Sequence, residues 1–440
     1  MYRWSAFFVV VVSSFGIGAE EVDNGSVGNY EATWESLDRH QTPEWFKDAK
    51  FGIFMYAPHP SEAYWKEYQV AQGTPEKEYP TESFGYRSVE KLSWDPDRIA
   101  RMLNEIGARY IVWSADSSSH FLLHPSKYAD IPGSPFTYLT GPGENQVDYT
   151  GEMAKAARAR GLTFGIYRNY LHPEHDPYFL ETMFEMIDRY QPSTLWLDEN
   201  KFSFPTEVLK GRELLAYYYN HSKDPDNVAC EDALGDYKRP TIGKSLVHGD
   251  WYRRESGHSP PADAISDGAY ARYERFRPHE VFRRSPIRAS DNSIENFIHW
   301  LAHTASHGGN LEIAMDSTSD DVFAWYREQL LPMGSWLEQN GEAIYNTRPW
   351  NAGIPSMETA SGIPVRFTTS GDALFVILLK RPSNELLLPK MRAADGTSIR
   401  LLGFDDNLKW ENSEKGLVIR NPSTPLPGEH AFVYKIAPSL

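Results

Sequence analysis

Asp198 ends the run Leu195-Trp196-Leu197, where an apolar stretch meets an acid. An uninterrupted apolar run of this length reads as a strand buried on both faces. An acid where such a strand emerges stands at the position from which closed parallel barrels build their active sites. Its carboxylate could attack a substrate covalently. From the residues alone, an ordinary strand-end aspartate capping the next turn is an equal reading. Other groups with chemical capacity gather elsewhere. Arg272, Arg275, Arg277, Arg283, Arg284 and Arg288 crowd one stretch, Arg253 and Arg254 precede it, and Arg168 follows the apolar residues 162–167. Guanidinium groups grip sulfate or carboxylate through paired hydrogen bonds. Pairing with the surplus of surface acids explains the cluster equally well. His299, His303 and His307 stand four apart, but no carboxylate or cysteine shares their spacing, so they read as packing histidines rather than metal ligands. Neither a phosphate-binding glycine loop nor a serine nucleophile elbow is present, and no metal or cofactor is expected.

The elements that must hold Asp198 are legible around it. Residues 162–167 form a strand opened by Gly161. Phe179, Met183, Met186, Ile187 and Tyr190 then recur at helical spacing until Pro192. The same alternation appears upstream: Phe51–Tyr56 as strand, residues 97–106 as helix, 110–113 as strand and 148–160 as helix. Strands alternating with helices at this spacing imply a parallel sheet with crossover helices. Residues 292–306, capped by Asn292, and 321–340 read as further helices. Beyond about Trp350 the period changes, and residues 365–369, 373–379, 398–402, 417–419 and 431–436 read as strands of an all-β module.

The 440 residues suit two domains, and 13 Trp with 25 Tyr suit aromatic-lined clefts. A net charge of -16 argues against nucleic acid as a partner, since phosphate binding needs a basic face. Arg3, the apolar residues 4–12 and the small residues up to Ala19 resemble a signal peptide covering residues 1–19, too short to span a bilayer. Export to a secreted or periplasmic location, with no membrane partner, is the expectation. A single cysteine, Cys230, excludes an intramolecular disulfide.

Several segments in shared order resemble the α-L-fucosidases of glycoside hydrolase family 29. They are Trp45-Phe-Lys-Asp-Ala-Lys-Phe-Gly-Ile-Phe54, Trp94-Asp-Pro-Asp-Arg98, Gly161-Leu-Thr-Phe-Gly-Ile-Tyr167, Leu195-Trp-Leu-Asp198, Gly308-Gly-Asn310 and Gly341-Glu-Ala-Ile-Tyr345. The resemblance implies an α/β chain: a (β/α)8-like, TIM-type barrel over residues 20–350 with a C-terminal antiparallel β-sandwich over 351–440. It implies a retaining glycosidase, in which two carboxyl groups about 5–5.5 Å apart share the work. Asp198 corresponds to the family's nucleophile. For the acid/base, Glu274 in Arg272-Tyr-Glu-Arg-Phe276 is favoured slightly, with Glu255 in Gly249-Asp-Trp-Tyr-Arg-Arg-Glu255 as the alternative. Glu67 resembles a sugar-contacting glutamate and is a third candidate.

The sugar-reading shell departs from the family. Where relatives carry His-Trp-Gly, this chain has Tyr56-Ala57-Pro58, with His59 next. Where they carry Lys-His-His-Asp-Gly-Phe, it reads Asp116-Ser117-Ser118-Ser119-His120-Phe121. The expected substrate-binding set is therefore Tyr56, His59, Trp65, Glu67 and Trp113, together with Ser117, His120, Arg168, Trp196 and Trp251. A rebuilt shell implies altered specificity. The expected activity is exo-cleavage of terminal α-L-fucosyl residues from an oligosaccharide or polysaccharide, including a sulfated one. An α-L-galactosidase acting on algal galactan and a silent glycan-binding relative are the alternatives.

Overall fold

In the computed structural model, the residues described are 30–37, 39–71, 88–117, 121–140, 146–170, 177–199, 210–230, 252–255, 270–275, 293–317, 319–350, 356–423 and 425–438. One sheet holds eight strands: β1 (Phe51–Tyr56), β2 (Tyr110–Ser114), β3 (Thr163–Tyr170), β4 (Thr194–Glu199), β5 (Ala229–Cys230), β6 (Tyr252–Glu255), β7 (Tyr270–Arg275) and β8 (Asn310–Asp316). Every recorded pairing among them is parallel, and β1 pairs with both β2 and β8. The order β5-β4-β3-β2-β1-β8-β7-β6 sets the first strand beside the last, as in a (β/α)8 barrel, with no pairing between β5 and β6 among the described residues.

Helices α1 (Glu44–Ala49), α2 (Glu62–Ala71), α3 (Pro96–Glu105), α4 (Tyr149–Ala159), α5 (Phe179–Tyr190), α6 (Gly211–His221), α7 (Ile294–Ser306) and α8 (Asp320–Asn340) accompany the strands. Their starts follow local chemistry. Asp95 accepts from Arg98 N ahead of Pro96, and Asp148 accepts from Gly151 N at 2.9 Å. The cap of α7 is Ser293, accepting from Asn296 N at 3.2 Å. Asn292, the expected cap, lies outside the described residues.

Strand alternation divides the barrel into two cores. Ile53, Met55, Ile111, Trp113, Phe164, Ile166, Leu195, Leu197, Leu311, Ile313 and Met315 face outward and pack against the helices. Phe54, Tyr110, Val112, Tyr167, Trp196, Ala229 and Ala314 form the inner core with Phe46 and Ala49 of α1. Gly52 makes that inner packing possible: a Cβ there would sit 2.2 Å from the Tyr110 ring.

The C-terminal region is a sandwich of antiparallel sheets. One joins β9 (Ser356–Glu358), β10 (Pro364–Ser370), β11 (Ala373–Leu378), β13 (Ser398–Leu401) and β16 (Phe432–Ala437); the other joins β12 (Glu385–Pro389), β14 (Lys409–Ser413) and β15 (Gly416–Arg420). Strand β11 is buried along its whole length. Leu374, Val376 and Leu378 face the sandwich core, whereas Ala373, Phe375 and Ile377 join the barrel's outer core. Polar contacts reinforce that junction: Trp336 Nε1 donates to Ala431 O at 3.0 Å and Gln339 Nε2 to Leu402 O at 3.2 Å.

Candidate active site

From the N-terminal end upward, the lumen is filled first by Phe46 and Ala49 and then by a buried polar pair. The Tyr110 hydroxyl donates to Glu312 Oε1 at 2.9 Å. Burial first, and then the glutamate's charge, raise the Tyr110 pKa well above its ordinary value. Above that pair lies an aromatic cluster. Phe54 meets Tyr56, Trp196 and Tyr167 at centroid distances of 4.6, 4.7 and 4.9 Å, mostly edge to face. Tyr56, half-buried at the end of β1, stands at the mouth.

Three acidic positions at the strand ends share the lumen register. Asp198 stands two residues after Trp196 in β4, at the position paired with Asn169. Asp316 ends β8 level with Tyr56 and is buried. Glu255 ends β6 level with Tyr273, which is itself level with the lumen residue Glu312. Glu274 is level with Ile313, a residue of the outer core. Residues in register on parallel strands lie on the same face of the sheet. By backbone register, Glu255 is in line with the lumen residue Glu312 and Glu274 with the outer-core residue Ile313. Both lie in strands.

The expected sugar-facing set is divided by the fold. Tyr56 and Trp196 belong to the lumen cluster. Trp113 does not; it is fully buried on the outer face, where its indole donates to Thr150 Oγ1 at 3.2 Å. Arg168 is corrected in the same way. It alternates with Tyr167 onto the outer face and is 0% exposed. There its Nε donates to Asp116 Oδ2 at 3.3 Å, its Nη1 bonds Thr182 Oγ1, and Phe136 and Phe179 flank the cation. A guanidinium so enclosed holds the wall and cannot grip a ligand. His59 is buried, and its carbonyl accepts from Val89 N at 2.8 Å. Trp65 of α2 packs against Phe121, and Glu67 is exposed on the same helix. Ser117 lies in a two-residue strand, and nothing further is described for its side chain. His120 and Trp251 fall outside the described residues.

Sequence reasoning missed β8 and with it Asp316 and Glu312. The signal was present: Asn310, Glu312 and Asp316 alternate with Leu311, Ile313 and Met315. A strand whose lumen face is polar escapes a search for continuous apolar runs. The two histidines of α7, His299 and His303, serve the junction with the sandwich, and His307 caps the helix end. His299 Nε2 bonds His430 O at 2.9 Å, and His303 Nδ1 accepts from Arg366 Nε at 3.2 Å. The His307 ring lies 4.3 Å from that of His303, tilted by 46°, and burial lowers its pKa.

A parallel barrel with acidic residues near the C-terminal ends of its strands can host the paired-carboxylate chemistry of a glycoside hydrolase. The α-L-fucosidase family model matches residues 19–342, and the model of the α-L-fucosidase C-terminal domain matches 360–437. The chain therefore belongs to the α-L-fucosidase family, glycoside hydrolase family 29, as a divergent member. It is 27% identical to an α-L-fucosidase of Branchiostoma floridae, with 92% of this chain and 95% of that protein covered. It is 27% identical to the human tissue α-L-fucosidase, with 92% and 91% covered. Among solved structures, it is similar to Thermotoga maritima α-fucosidase in complex with a mechanism-based inhibitor. The TM-score is 0.71 and the identity 26%, over 92% of this chain and 99% of that one.

Proposed function

We propose that the protein is a retaining, exo-acting α-L-fucosidase in which Asp198 attacks the anomeric carbon and Glu255 is the acid/base. The observation that supports the reading is the place of Asp198 in β4, two residues beyond the lumen residue Trp196, with Glu255 as the last residue of β6. Glu255 protonates the departing oxygen as a carboxylic acid and then, as a carboxylate, activates the water that releases the sugar. Azide separates the candidates. Aryl α-L-fucoside turnover by Glu255→Ala is restored by azide with retained configuration, and Glu274→Ala keeps near-native turnover. Rescue of Glu274→Ala alone would assign the role to Glu274. Asp198→Asn loses turnover, whereas a silent glycan-binding relative would have none to lose.

The specificity follows from the surroundings. The aromatic cluster Phe54, Tyr56, Tyr167 and Trp196 favours the methyl of L-fucose over the hydroxymethyl of L-galactose, so aryl α-L-fucoside is the faster substrate. The density of arginines in the sequence between Arg253 and Arg288 supports a sulfated glycan as substrate. Faster hydrolysis of a desulfated oligosaccharide than of its sulfated parent would overturn that part. Residues 1–19 support export, and N-terminal sequencing of the mature protein checks the cleavage.

A further inference from the structure

A second recess lies outside the barrel, between α5, α6 and the segment around Tyr128. It encloses about 480 Å³ and is lined by Lys127, Tyr128, Glu181, Phe184, Glu185, Asp188, Arg189 and Tyr217. That volume is in the range of small-ligand pockets. Its rings form two separate groups: Tyr217 is sandwiched between Phe184 and His221 at 3.7 Å each, and Tyr128 stacks on Tyr178 at 5.6 Å, which leaves Phe184 and Tyr128 each with one face outside its stack. Phe184, Tyr217 and Tyr128 are each only half-buried although large and aromatic.

The polar groups between the rings are mostly acceptors. Asp188 takes the Tyr217 hydroxyl at 2.8 Å, which fixes that ring. Glu185 is held by Ser126 Oγ and by Arg189 Nη2 at 2.8 Å. Glu181 is exposed on the first turn of α5, with no hydrogen bond or ion pair recorded among the described residues. Three carboxylates thus face two cations, Lys127 and Arg189, and the recess is acidic.

We propose that this recess is a second carbohydrate site, taking neutral sugar units of the glycan whose terminal residue is removed at the barrel mouth. The proposal rests on the glycosidase reading above. Aromatic faces accept the C–H face of a sugar ring, and carboxylates accept its hydroxyl protons. The acidic surplus repels sulfate, so unsulfated stretches bind here. The recess extends from Glu181 in the first turn of α5 to Asp188 and Arg189 in its last. Helix α5 joins the parallel strands β3 and β4, so it starts at the barrel end where β4 presents Asp198.

The test uses Tyr128→Ala and Glu181→Ala, with Tyr217→Ala as a third variant whose fold is checked by its melting temperature. The expected result is a KM for a desulfated fucan oligosaccharide raised about tenfold, with kcat and aryl α-L-fucoside turnover unchanged. Unchanged KM on the oligosaccharide overturns the proposal, as does an equal loss on the aryl fucoside. If the wild-type chain hydrolyses neither substrate, the fucosidase reading fails, and titration calorimetry with the same oligosaccharide still decides the recess. Heat of binding lost in Tyr128→Ala supports it; heat unchanged in that variant, or seen only with the sulfated oligosaccharide, overturns it.

Discussion

Arg168 shows how far a residue's chemistry depends on its parity in a strand. One place earlier or later it would face the lumen; where it stands, it forms a buried ion pair with Asp116. Removing one partner of such a pair leaves an uncompensated charge, at a cost of about 3–5 kcal/mol. Arg168→Met should therefore lower stability by that order in denaturant melts, and adding Asp116→Leu should recover much of it. A neutral result for the single variant would remove the pair from the structural account. The lumen pair behaves similarly on a smaller scale. Tyr110→Phe takes a donor from buried Glu312 and should cost about 1–3 kcal/mol in the same assay. Asp198 was legible in the sequence because an apolar run leads directly into it. Arg168 and Trp113 were misplaced because proximity to a strand end does not reveal which face a side chain takes.

At the scale of elements, the segment carrying Leu122, Leu123 and His124 lies behind the barrel wall. His124 is fully buried; burial first, and then the charges of Arg168 and Arg189, lower its pKa from 6.5 to about 3. Between those two values the unfolded chain binds a proton at this position and the folded chain does not. Stability therefore rises with pH across the interval, is fully present above about 6.5, and declines as the pH falls towards 3. His124→Leu should flatten the melting temperature between pH 6.5 and 4, and an unchanged slope would count against this assignment. The strands and helices from β1 to β4 were legible because their outer faces carry strong apolar periods. Strands β6 and β7 escape a search for apolar runs because arginine and glutamate alternate through them. They belong to the sheet despite that composition because the register continues from β8, which is a property of the assembled barrel rather than of either segment.

For the whole molecule, β11 is the critical seam. Its alternate residues belong to different cores, so neither the barrel nor the sandwich is finished without it. Phe375→Asp should expose the outer face of α7 and α8, lower the melting temperature by several degrees and promote aggregation, as light scattering would report. The seam also predicts one calorimetric transition for the full chain, with calorimetric and van't Hoff enthalpies equal. Two resolved transitions would show that the halves hold independently. The apolar character of residues 373–379 was evident in the sequence, but which partner each face would meet was not, because that depends on a barrel assembled from distant residues.

The seam has a further consequence during synthesis. Helix α8 ends at Asn340, but the covering sheet is complete only when β16 ends at Ala437. At about 5–20 residues per second, the ribosome needs roughly 5–20 s to make the intervening stretch. Throughout that interval the nascent barrel carries an uncovered apolar flank. The order of synthesis thus leaves that flank without its cover until the sandwich strands have been made.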